Sequence, residues 1–558
     1  MKNMGIKRAV ALTLLGAMGM STLSGCGAKT ASTDAGKEVT QTTDKKTETG
    51  GTTATETATS TEGYKDYSKG FENNVTIQIP VYDRAFEGWN VTNNYWTNWI
   101  QSEFGDKYNV TVEYVAIGRS TEVNDYNQML AAGTAPDIIF HYDMPQAVSY
   151  YTQGAMQPID LEEMKFYAPD YYEMTADMSS TYGQMDGETY FFFAERPTAY
   201  NWVTLVRKDW MDKTGKGMPA NLNEFNDMLK AWKDAGLGNG GGSLIQNNFT
   251  YDYAFRDWPI NQEERTLYSD LSVAALTWAP SKDFLKNMNY QYNNGLIDPE
   301  FYLKTEDAQI KADFVAGKTG MYSLYLTSNT DVIASLKANN PEAEIAVLAP
   351  EAAVPEGKKP QARAYWPFGM IMGVNSTTSE EERAALWMFL DWMMQEDHLF
   401  SLQNGVEGQN YTLSTDGLPV KVEGFSGESA LSQNNNKDYW CLWSESVQYG
   451  SDDLNYKANL ANWAPAGYEY LIEDAYKNFK ATEEYYTPDA LFTVTLEKQA
   501  EYKTDLNELW KQLYVQCVLA PEAQFDATYE KACTEYLDAG YAQILEEKKE
   551  QIAAGNYK

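Results

Sequence analysis

Apolar and polar positions alternate with two different periods in the first ordered part of the chain. Val75–Pro80 and Val110–Val115 alternate residue by residue, which is the pattern of a β-strand with one buried face. Asn93–Phe104 and Val123–Ala132 instead place their aromatic and aliphatic residues at helical spacing, and Pro136–Phe140 is a short apolar strand. This succession of strand and helix predicts an α/β lobe with a mainly parallel sheet, flanked by helices.

A second set of elements follows later in the chain. The pattern predicts a strand over Trp202–Arg207 and a helix over Leu222–Trp232. A strand-rich segment returns over Ala362–Val374, and Glu380–Asn404 has the period of one long amphipathic helix. Two helices divided at a proline are expected over Thr504–Lys548. The chain therefore has enough elements for two α/β units.

The N-terminus has the pattern of an export signal. Met1–Arg8 is basic, Ala9–Met20 is apolar and too short for a bilayer-spanning helix of roughly 20 residues, and small residues precede Cys26. The segment Leu23–Cys26 looks like a bacterial lipobox, whose cysteine receives a diacylglyceryl chain before cleavage. We therefore expect a signal peptide over 1–25 and lipidation of Cys26. The other interpretation is an N-terminal membrane helix with an incidental cysteine.

Residues 26–63 have the composition of a tether. The segment is rich in Thr, Lys and acids and has no aromatic residue, so it cannot bury enough surface to offset chain entropy. A flexible chain of this length has an average reach of roughly 30–35 Å. We expect a disordered leash between the lipidated cysteine and the folded part.

Composition narrows the function further. The 558 residues carry a formal charge of −35, which repels phosphate backbones and argues against nucleic-acid binding. Cys517 and Cys533 lie in successive helical patterns, so that a disulfide between them and two buried free thiols both stay open. His141 and His398 are far apart, and no Cys/His cluster has zinc spacing. We predict no metal and no cofactor.

Six short motifs occur in a fixed order along the chain. They are Met129–Ile138, Asp186–Tyr190, Leu222–Phe225, Tyr290–Pro299, Phe314–Met321 and Asn404–Tyr411. In this order, behind a lipobox, the chain resembles the oligosaccharide-type family of extracellular solute-binding proteins that serve ABC importers. The resemblance runs from about Phe71 to the C-terminus.

The resemblance implies a two-lobed periplasmic-binding-protein-like fold, with a ligand cleft and a hinge between the lobes that closes around the ligand. The expected lobes are 71–197 plus 363–415 for the N-lobe and 198–362 plus 416–558 for the C-lobe. We place the first hinge crossing near Arg196–Asn201 and the return near Gln361–Trp366.

A sugar site needs aromatic platforms for C–H faces, together with charged or amide groups for hydroxyls. Aromatic residues make up 14% of this chain. Asp83 and Arg84 follow the first strand, where sugar-binding relatives use a charged pair, and His141 opens a segment where maltose-type relatives place an aromatic and an acid. The full set of expected ligand contacts is Asp83, Arg84, Trp89, His141, Tyr142, Asp143, Asn201, Trp202, Tyr253, Trp258, Tyr325, Trp366 and Trp443.

Other interpretations of these residues stay open. The charged pair could be solvated surface charge, His141 a capped loop histidine, and each aromatic residue core filling. The chain also departs from its relatives after the Leu222 helix, where they often carry an acidic calcium loop. Here only Asp234 and Asn239 provide such oxygens, fewer than the six to eight ligands that calcium needs.

The sequence thus predicts the substrate-binding component of an ABC carbohydrate importer, which captures an oligosaccharide and delivers it to permease transmembrane subunits. We expect a monomer without enzymatic activity, held by its lipid on the extracellular face of the membrane, with a Gram-positive envelope favoured. A secreted glycoside hydrolase is one alternative, although no carboxylate pair is singled out. Others are a lipoprotein that binds peptides or another polar solute, and one that serves a sensor kinase.

Overall fold

The computed structural model describes residues 63–198, 200–238, 264, 267–268, 273–304, 307–326, 331–360, 366–432, 437–444, 449–463, 467–485 and 491–557. All of them belong to one compact unit, Thr61–Lys558. Within these ranges the strands are β1 (Val75–Asp83), β2 (Val110–Gly118), β3 (Ile138–His141), β4 (Gln184–Met185), β5 (Glu188–Thr189), β6 (Phe192–Glu195), β7 (Trp202–Arg207), β8 (Met321–Tyr325), β9 (Ile345–Val347), β10 (Phe368–Val374), β11 (Tyr411–Leu413) and β12 (Pro419–Lys421).

Strand pairing corrects the expected sheet type. β1 and β2 are parallel along their whole length, but β10 is antiparallel to both β3 and β6, and β7 is antiparallel to both β8 and β9. The expectation of mainly parallel sheets is therefore wrong for the described strands. β6 leaves its sheet at the point where β10 enters it, since the Arg196 N–H donates to the Pro367 carbonyl at 2.8 Å. Because β10 begins beside the point where β6 ends, it runs antiparallel to β6.

Helices cover these sheets and form a separate layer. The α-helices are Tyr95–Ile100, Asp106–Tyr108, Glu122–Ala132, Met144–Thr152, Leu161–Tyr167, Pro169–Tyr182, Lys208–Thr214, Leu222–Asp234, Ala279–Asn293, Asp307–Val315, Asp331–Asn339, Glu380–Met394, Glu396–Asn404, Lys437–Trp440, Asp452–Asn462, Tyr470–Thr482, Glu497–Leu519, Phe525–Tyr536 and Ala542–Ala554. Shorter 3₁₀ turns are Phe301–Leu303, Pro350–Ala353, Glu483–Tyr485 and Glu522–Gln524, and π-helical turns are Gln101–Gly105 and Leu537–Tyr541.

Most element predictions are confirmed, and two helices differ at a specific residue. The long helix expected over Glu380–Asn404 is broken at Gln395, whose ψ of 132° is not helical. The C-terminal helices begin earlier than expected and include a further break at Gly540, which has a φ of +122°. A Cβ at Gly540 would lie 2.4 Å from the ring of Tyr502, so that glycine allows both the turn and the close contact.

The first core surrounds the β1–β2 and β3–β10–β6 sheets. It buries aromatic residues of several helices, among them Trp96, Phe104 and Trp387, against the strands. The short segment that contains Tyr439 and Trp443 packs in the same core, although it follows the other elements of that core in the chain. These apolar contacts hold the ends of β1, β2 and β3 in place.

The second sheet, β8–β7–β9, has helices on both faces. Leu205 and Leu324 face a core shared with Asp331–Asn339 and Tyr470–Thr482, whereas Val206 and Met321 face the helices Lys208–Thr214 and Leu222–Asp234. This alternation of faces is that of a β-strand, and it confirms the strand predicted over Trp202–Arg207.

A third core consists of helices alone. It packs the helix Ala279–Asn293 against the C-terminal helices, and the Asn289 side chain donates to three carbonyls at the end of one of them. Cys517 and Cys533 lie in this layer as free thiols. No helix in the described part of the chain has both the length and the apolar composition needed to cross a bilayer.

Candidate functional site

The carboxyl ends of β1, β2 and β3 bring charged and aromatic side chains together in what we call the strand-end cluster: Tyr82, Asp83, Arg84, Arg119, Glu122, His141, Tyr142 and Asp143. The parallel register pairs Asp83 with Gly118, and the Arg119 N–H donates to the Asp83 carbonyl at 3.0 Å. Glu122 is the first residue of the following helix. In α/β folds, ligands bind beyond this edge of a sheet.

Glu122 lies at the centre of the cluster and is 4% exposed. Its carboxylate accepts the Tyr82 hydroxyl at 2.6 Å and the Arg119 Nη1 at 3.1 Å. Burial raises the pKa of Glu122 to about 7, although the Tyr82 hydrogen bond and the Arg119 charge act in the opposite direction. A carboxyl group with this pKa changes its charge near neutral pH.

His141 is held in one tautomer by its neighbour. Its Nδ1 accepts the backbone N–H of Asp143 at 2.9 Å, so the neutral ring carries its proton on Nε2. That nitrogen is 3.8 Å from the Glu122 carboxylate. Burial is the main cause that lowers the pKa of His141, and the nearby Asp143 charge opposes it. The imidazole is therefore a neutral donor at neutral pH.

Two guanidinium groups lie over aromatic faces in this cluster. Arg119 is 4.9 Å from the ring centre of Tyr82 and 5.6 Å from that of Tyr142, and Arg84 is 5.4 Å from that of Tyr82. The Tyr82 and Tyr142 rings are nearly parallel, with 13° between their planes. Cation–π contact of this kind fixes the orientation of a guanidinium group.

Asp83 and Trp89 belong to the loop that leaves β1. The Asp83 carboxylate accepts the Ala85 N–H at 2.7 Å, which stabilises a turn in which Ala85 has a φ of +54°. Asp83 itself is exposed. Trp89 is half-buried and packs against the first core.

A second group of predicted residues meets on the other sheet. Trp202 is the first residue of β7 and pairs with Tyr325, the last residue of β8. Their rings meet edge to face at 4.8 Å, and the side chains are 38% and 40% exposed. We call Trp202 and Tyr325 the aromatic pair; it forms an accessible aromatic surface where the chain enters the second sheet.

Asn201 and Trp366 lie on the segments that connect the two sheets. The Asn201 carbonyl accepts the Leu326 N–H at 2.9 Å, which extends the pairing of β7 with β8. Trp366 is half-buried and stacks on Phe368, with the ring centres 5.7 Å apart, and it meets Tyr182 edge to face at 5.2 Å. Trp366 therefore lies next to Pro367, whose carbonyl accepts the Arg196 N–H between the two connecting segments.

Trp443 marks a third segment at the same place. Its carbonyl accepts the Glu195 N–H at 2.9 Å, next to the point where β6 ends. The indole is only 8% exposed and belongs to the first core, and its Nε1 has no hydrogen-bond partner among the described residues. The structure thus places Trp443 among core residues, which is the other role that the sequence left open.

Three predicted residues, Cys26, Tyr253 and Trp258, lie outside the described residues. Conversely, the sequence reasoning missed Arg119 and Glu122. Arg119 could have been found, because it directly follows the second strand, just as Arg84 follows the first. No group of three His, Cys, Asp or Glu side chains within the described ranges is arranged to hold a metal ion.

The protein is similar to two curated lipoproteins or binding proteins of Bacillus subtilis (strain 168). One is the polygalacturonan/rhamnogalacturonan-binding protein YtcQ, 22% identical over 444 residues that cover 76% of this chain and 82% of YtcQ. The other is the lipoprotein LipO, 22% identical over 414 residues that cover 69% of this chain and 80% of LipO.

Solved structures have the same fold at lower sequence identity. Alginate-binding protein AlgQ2, solved without calcium ion, has a TM-score of 0.59 at 16% identity, with 87% of this chain and 99% of AlgQ2 covered. A solute-binding protein of Bifidobacterium longum infantis, described as binding HMO and associated with an ABC transporter, has a TM-score of 0.60 at 14% identity, covering 87% and 100%. The two-lobed fold predicted from the motifs is confirmed.

The profile of one protein family matches residues 99–413, which is more than half of the chain. That stretch includes β2, β3 and the aromatic pair, together with all six motifs of the series. The protein belongs to the bacterial extracellular solute-binding proteins.

Proposed function

We propose that the protein is the substrate-binding component of an ABC carbohydrate importer, and that it captures an oligosaccharide between the strand-end cluster and the aromatic pair. The observation that carries the proposal is the exposed aromatic pair, Trp202 and Tyr325, at the entry to the second sheet. Two neighbouring aromatic rings that stay accessible at the ends of paired strands offer a surface on which a ring-shaped ligand can stack.

The chemistry of the two groups fits a sugar. The aromatic pair offers apolar ring faces and edges to the C–H faces of a pyranose or furanose ring. The strand-end cluster offers guanidinium donors, carboxylate acceptors and phenol groups, all of which bond hydroxyls. A flat apolar ligand would have no use for the charges of the strand-end cluster, and a simple anion would have no use for the aromatic pair.

The relatives support the carbohydrate class. YtcQ is named for polygalacturonan and rhamnogalacturonan, AlgQ2 for alginate, and the Bifidobacterium protein for HMO. These ligands differ in charge and linkage, so they support an oligosaccharide in general and leave the sugar to experiment. The relatives are binding proteins, and we propose that this chain likewise binds its sugar without cleaving it.

We propose the lobes of the sequence prediction with one change. Residues 71–197 and 363–415 form the N-lobe, 198–362 and 416–558 form the C-lobe, and the short segment 437–444 joins the N-lobe because it packs in the first core. The backbone bonds from Glu195 to Trp443 and from Arg196 to Pro367 join three connecting segments side by side. Connecting segments that lie side by side in this way can bend together, and so they are suited to act as the hinge when the ligand binds.

We also propose the cellular setting. Cys26 carries the lipid, residues 27–63 form the tether, and the folded part works as a monomer on the extracellular face of a Gram-positive membrane. There it delivers its sugar to the permease transmembrane subunits. Metabolic labelling with a fatty-acid analogue, compared between the wild type and Cys26→Ser, tests the anchor.

Thermal unfolding in the presence of four probes tests the function: oligogalacturonates, alginate oligosaccharides, kestose and a mixture of tripeptides. A ligand present at 100 times its Kd stabilises the folded state by about 2.7 kcal/mol, which raises Tm measurably. We expect a rise with at least one sugar and none with the peptides. A rise with peptides alone, or with no probe, would contradict the proposal.

A reducing-end assay separates binding from hydrolysis. The same sugar that raises Tm is incubated with the protein, and new reducing ends are counted over a day. We expect none, whereas steady release would favour the glycoside hydrolase alternative.

A further inference from the structure

Arg119 stands at the open edge of the strand-end cluster. Its side chain is 43% exposed, and a single N–H group, on Nη1, contacts the Glu122 carboxylate. The guanidinium plane lies near the ring faces of both Tyr82 and Tyr142. A guanidinium group has five N–H donors in a planar fork, so most of them remain to face outward from this position.

Glu122 is the fixed partner in this arrangement. Its side chain is 3% exposed, it begins a helix, and it receives the Tyr82 hydroxyl on one oxygen and Arg119 on the other. A buried carboxylate is stable only when its charge is matched by hydrogen bonds and an opposite charge. Arg119 and Glu122 therefore depend on each other: the buried acid orients the exposed cation.

Every element packed around Glu122 contributes a group that senses its charge. β1 and the loop after it contribute Tyr82 and Arg84, the end of β2 contributes Arg119, and the helix of Glu122 contributes Tyr126. β3 and its following helix contribute His141, Asp143 and Tyr150. His141 is neutral because burial lowers its pKa. The formal charges next to Glu122 are therefore those of Arg84, Arg119 and Asp143.

We propose that Arg119 contacts the bound sugar and that Glu122 is the residue that positions it, so that the affinity for the sugar is higher when Glu122 is ionised. The proposal rests on the proposed function, because it needs a sugar at this edge of the sheet. It extends that function by naming two residues and a dependence on protons.

The charge balance also indicates the part of the sugar that Arg119 contacts. Its positive charge is already matched by the Glu122 carboxylate, so it can donate to hydroxyl oxygens without a further anion. A uronate carboxylate would instead bind best when Glu122 is protonated and the charge of Arg119 is unmatched. The two ligand chemistries therefore predict opposite changes of affinity with pH.

For a hydroxyl contact, the geometry gives the direction in which the affinity changes with pH. When Glu122 is ionised, a charge-assisted hydrogen bond holds the guanidinium against the rings. Because burial raises the pKa of Glu122 to about 7, acidification from pH 8 to pH 5.5 protonates it. Arg119 then loses its anchor, and we expect affinity to fall about 10-fold, the ratio that corresponds to a hydrogen bond with a charged group.

Isothermal titration calorimetry with the full folded chain tests this inference. The probe is the oligosaccharide that gives the largest rise in Tm among the three sugar probes, and it is titrated at pH 5.5 and pH 8. Glu122→Gln should bind more weakly at pH 8 and show no change of affinity between the two pH values. Arg119→Lys keeps the charge but not the fork, and should bind about 10-fold more weakly at pH 8.

Glu163→Gln is the matched control. Glu163 is another buried acid of the same core, and it pairs with Arg383 through two hydrogen bonds away from the strand ends. This variant loses stability but should keep the affinity and pH dependence of the wild type. If Glu122→Gln does not fold, the pH profile of the wild type and the Arg119→Lys variant still decide.

Proton release gives a second readout that a purely structural role would not change. If the sugar prefers ionised Glu122, binding near pH 7 must release a fraction of a proton, because the two equilibria are reciprocal. Titrations in two buffers with different ionisation heats measure it, and Glu122→Gln should abolish it. An affinity that is equal at both pH values overturns the proposal about Glu122 and Arg119 but leaves sugar binding intact. An affinity that is tighter at pH 5.5, as a uronate carboxylate on Arg119 would give, overturns the hydroxyl contact and the preference for ionised Glu122. Binding of no probe overturns both.

Discussion

The strand-end cluster and the aromatic pair, the two groups that we propose contact the sugar, differ in the physical interactions that they offer. The first is a group of charges and hydroxyls tied to one another around the buried Glu122. The second has two rings that touch edge to face on neighbouring strands and are each more than a third exposed. The side chains of the cluster are held in place by contacts with one another, whereas the aromatic pair presents exposed apolar ring surface.

The difference has a practical consequence for binding. A preorganised polar cluster selects by direction, because each hydroxyl of a sugar must meet a donor or acceptor that is already fixed. An aromatic surface accepts many ring geometries and contributes through apolar contact. We expect the cluster to carry specificity and pH dependence, and the pair to carry affinity that hardly changes with pH.

The largest expected effect comes from Glu122→Gln, which replaces the buried acid of the strand-end cluster by a neutral amide. The pKa of Glu122 is about 7 in the folded state against an ordinary value of 4.5, so the stabilisation from its bound proton is full below pH 4.5 and is lost as pH rises through 7. Glu122→Gln cannot titrate. Between pH 5 and pH 8, we expect the free energy of unfolding of the variant to rise relative to the wild type by about 2 to 3 kcal/mol.

Urea unfolding at several pH values measures this difference. Glu163→Gln serves as the control, because it removes a buried acid paired with Arg383 elsewhere in the same core. A difference between Glu122→Gln and the wild type that stays constant from pH 5 to pH 8 would show that Glu122 is ionised throughout.

The next effect removes the aromatic surface. Trp202→Ala should weaken sugar binding by about 2 kcal/mol, or roughly 30-fold, as expected for an aromatic contact residue at the centre of a binding surface. Because the side chain is 38% exposed, the stability of the protein should change by less than about 1 kcal/mol. Calorimetry at pH 5.5 and pH 8 should give the same loss at both values.

Tyr290→Ala is the control for this variant. Tyr290 is 37% exposed, much like Trp202, but lies on the helix Ala279–Asn293 of the third core. It should bind the sugar as the wild type does. Equal losses for both variants would mean that the aromatic pair is not part of the site.

The smallest effect trims one hydroxyl from the cluster. Tyr82→Phe removes the donor to Glu122 and should destabilise the protein by about 1 to 2 kcal/mol, with the larger value at pH 8, where the acceptor is charged. Tyr171→Phe is the comparison, since the Tyr171 hydroxyl donates to the uncharged Phe193 carbonyl at 2.9 Å. Its loss should be the same at pH 5.5 and pH 8 in urea unfolding.

The sequence predicted the local elements well because their patterns arise from neighbours in the chain. Val75–Pro80 and Val110–Val115 are strands, extended by three residues at the C-terminal end in each case, and the helix at Leu222 begins where its Asn221 cap accepts the Glu224 N–H. The break at Gln395 was missed because the apolar period continues on both sides of it. Local periodicity does not record a turn that keeps the same face buried.

Long-range pairing was the harder part. β10 is antiparallel to β6 because the chain leaves this sheet at the end of β6 and re-enters it beside the same point at the start of β10, and no local pattern contains that information. Glu122 was missed for a related reason. An acid in the first turn of a helix usually faces solvent and the helix dipole, and only the fold shows that Tyr82 and Arg119 converge on it.

The position of β10 has a consequence for how the protein matures. The central strand of its sheet is synthesised after the whole segment that carries β7, β8 and β9, so β3 and β6 stay without their common neighbour until residue 374 has left the translocation channel. Contacts between residues so distant in sequence form slowly. We therefore expect the sheet of β3, β10 and β6 to form late in folding rather than early, which leaves the chain unfolded long enough to cross the membrane.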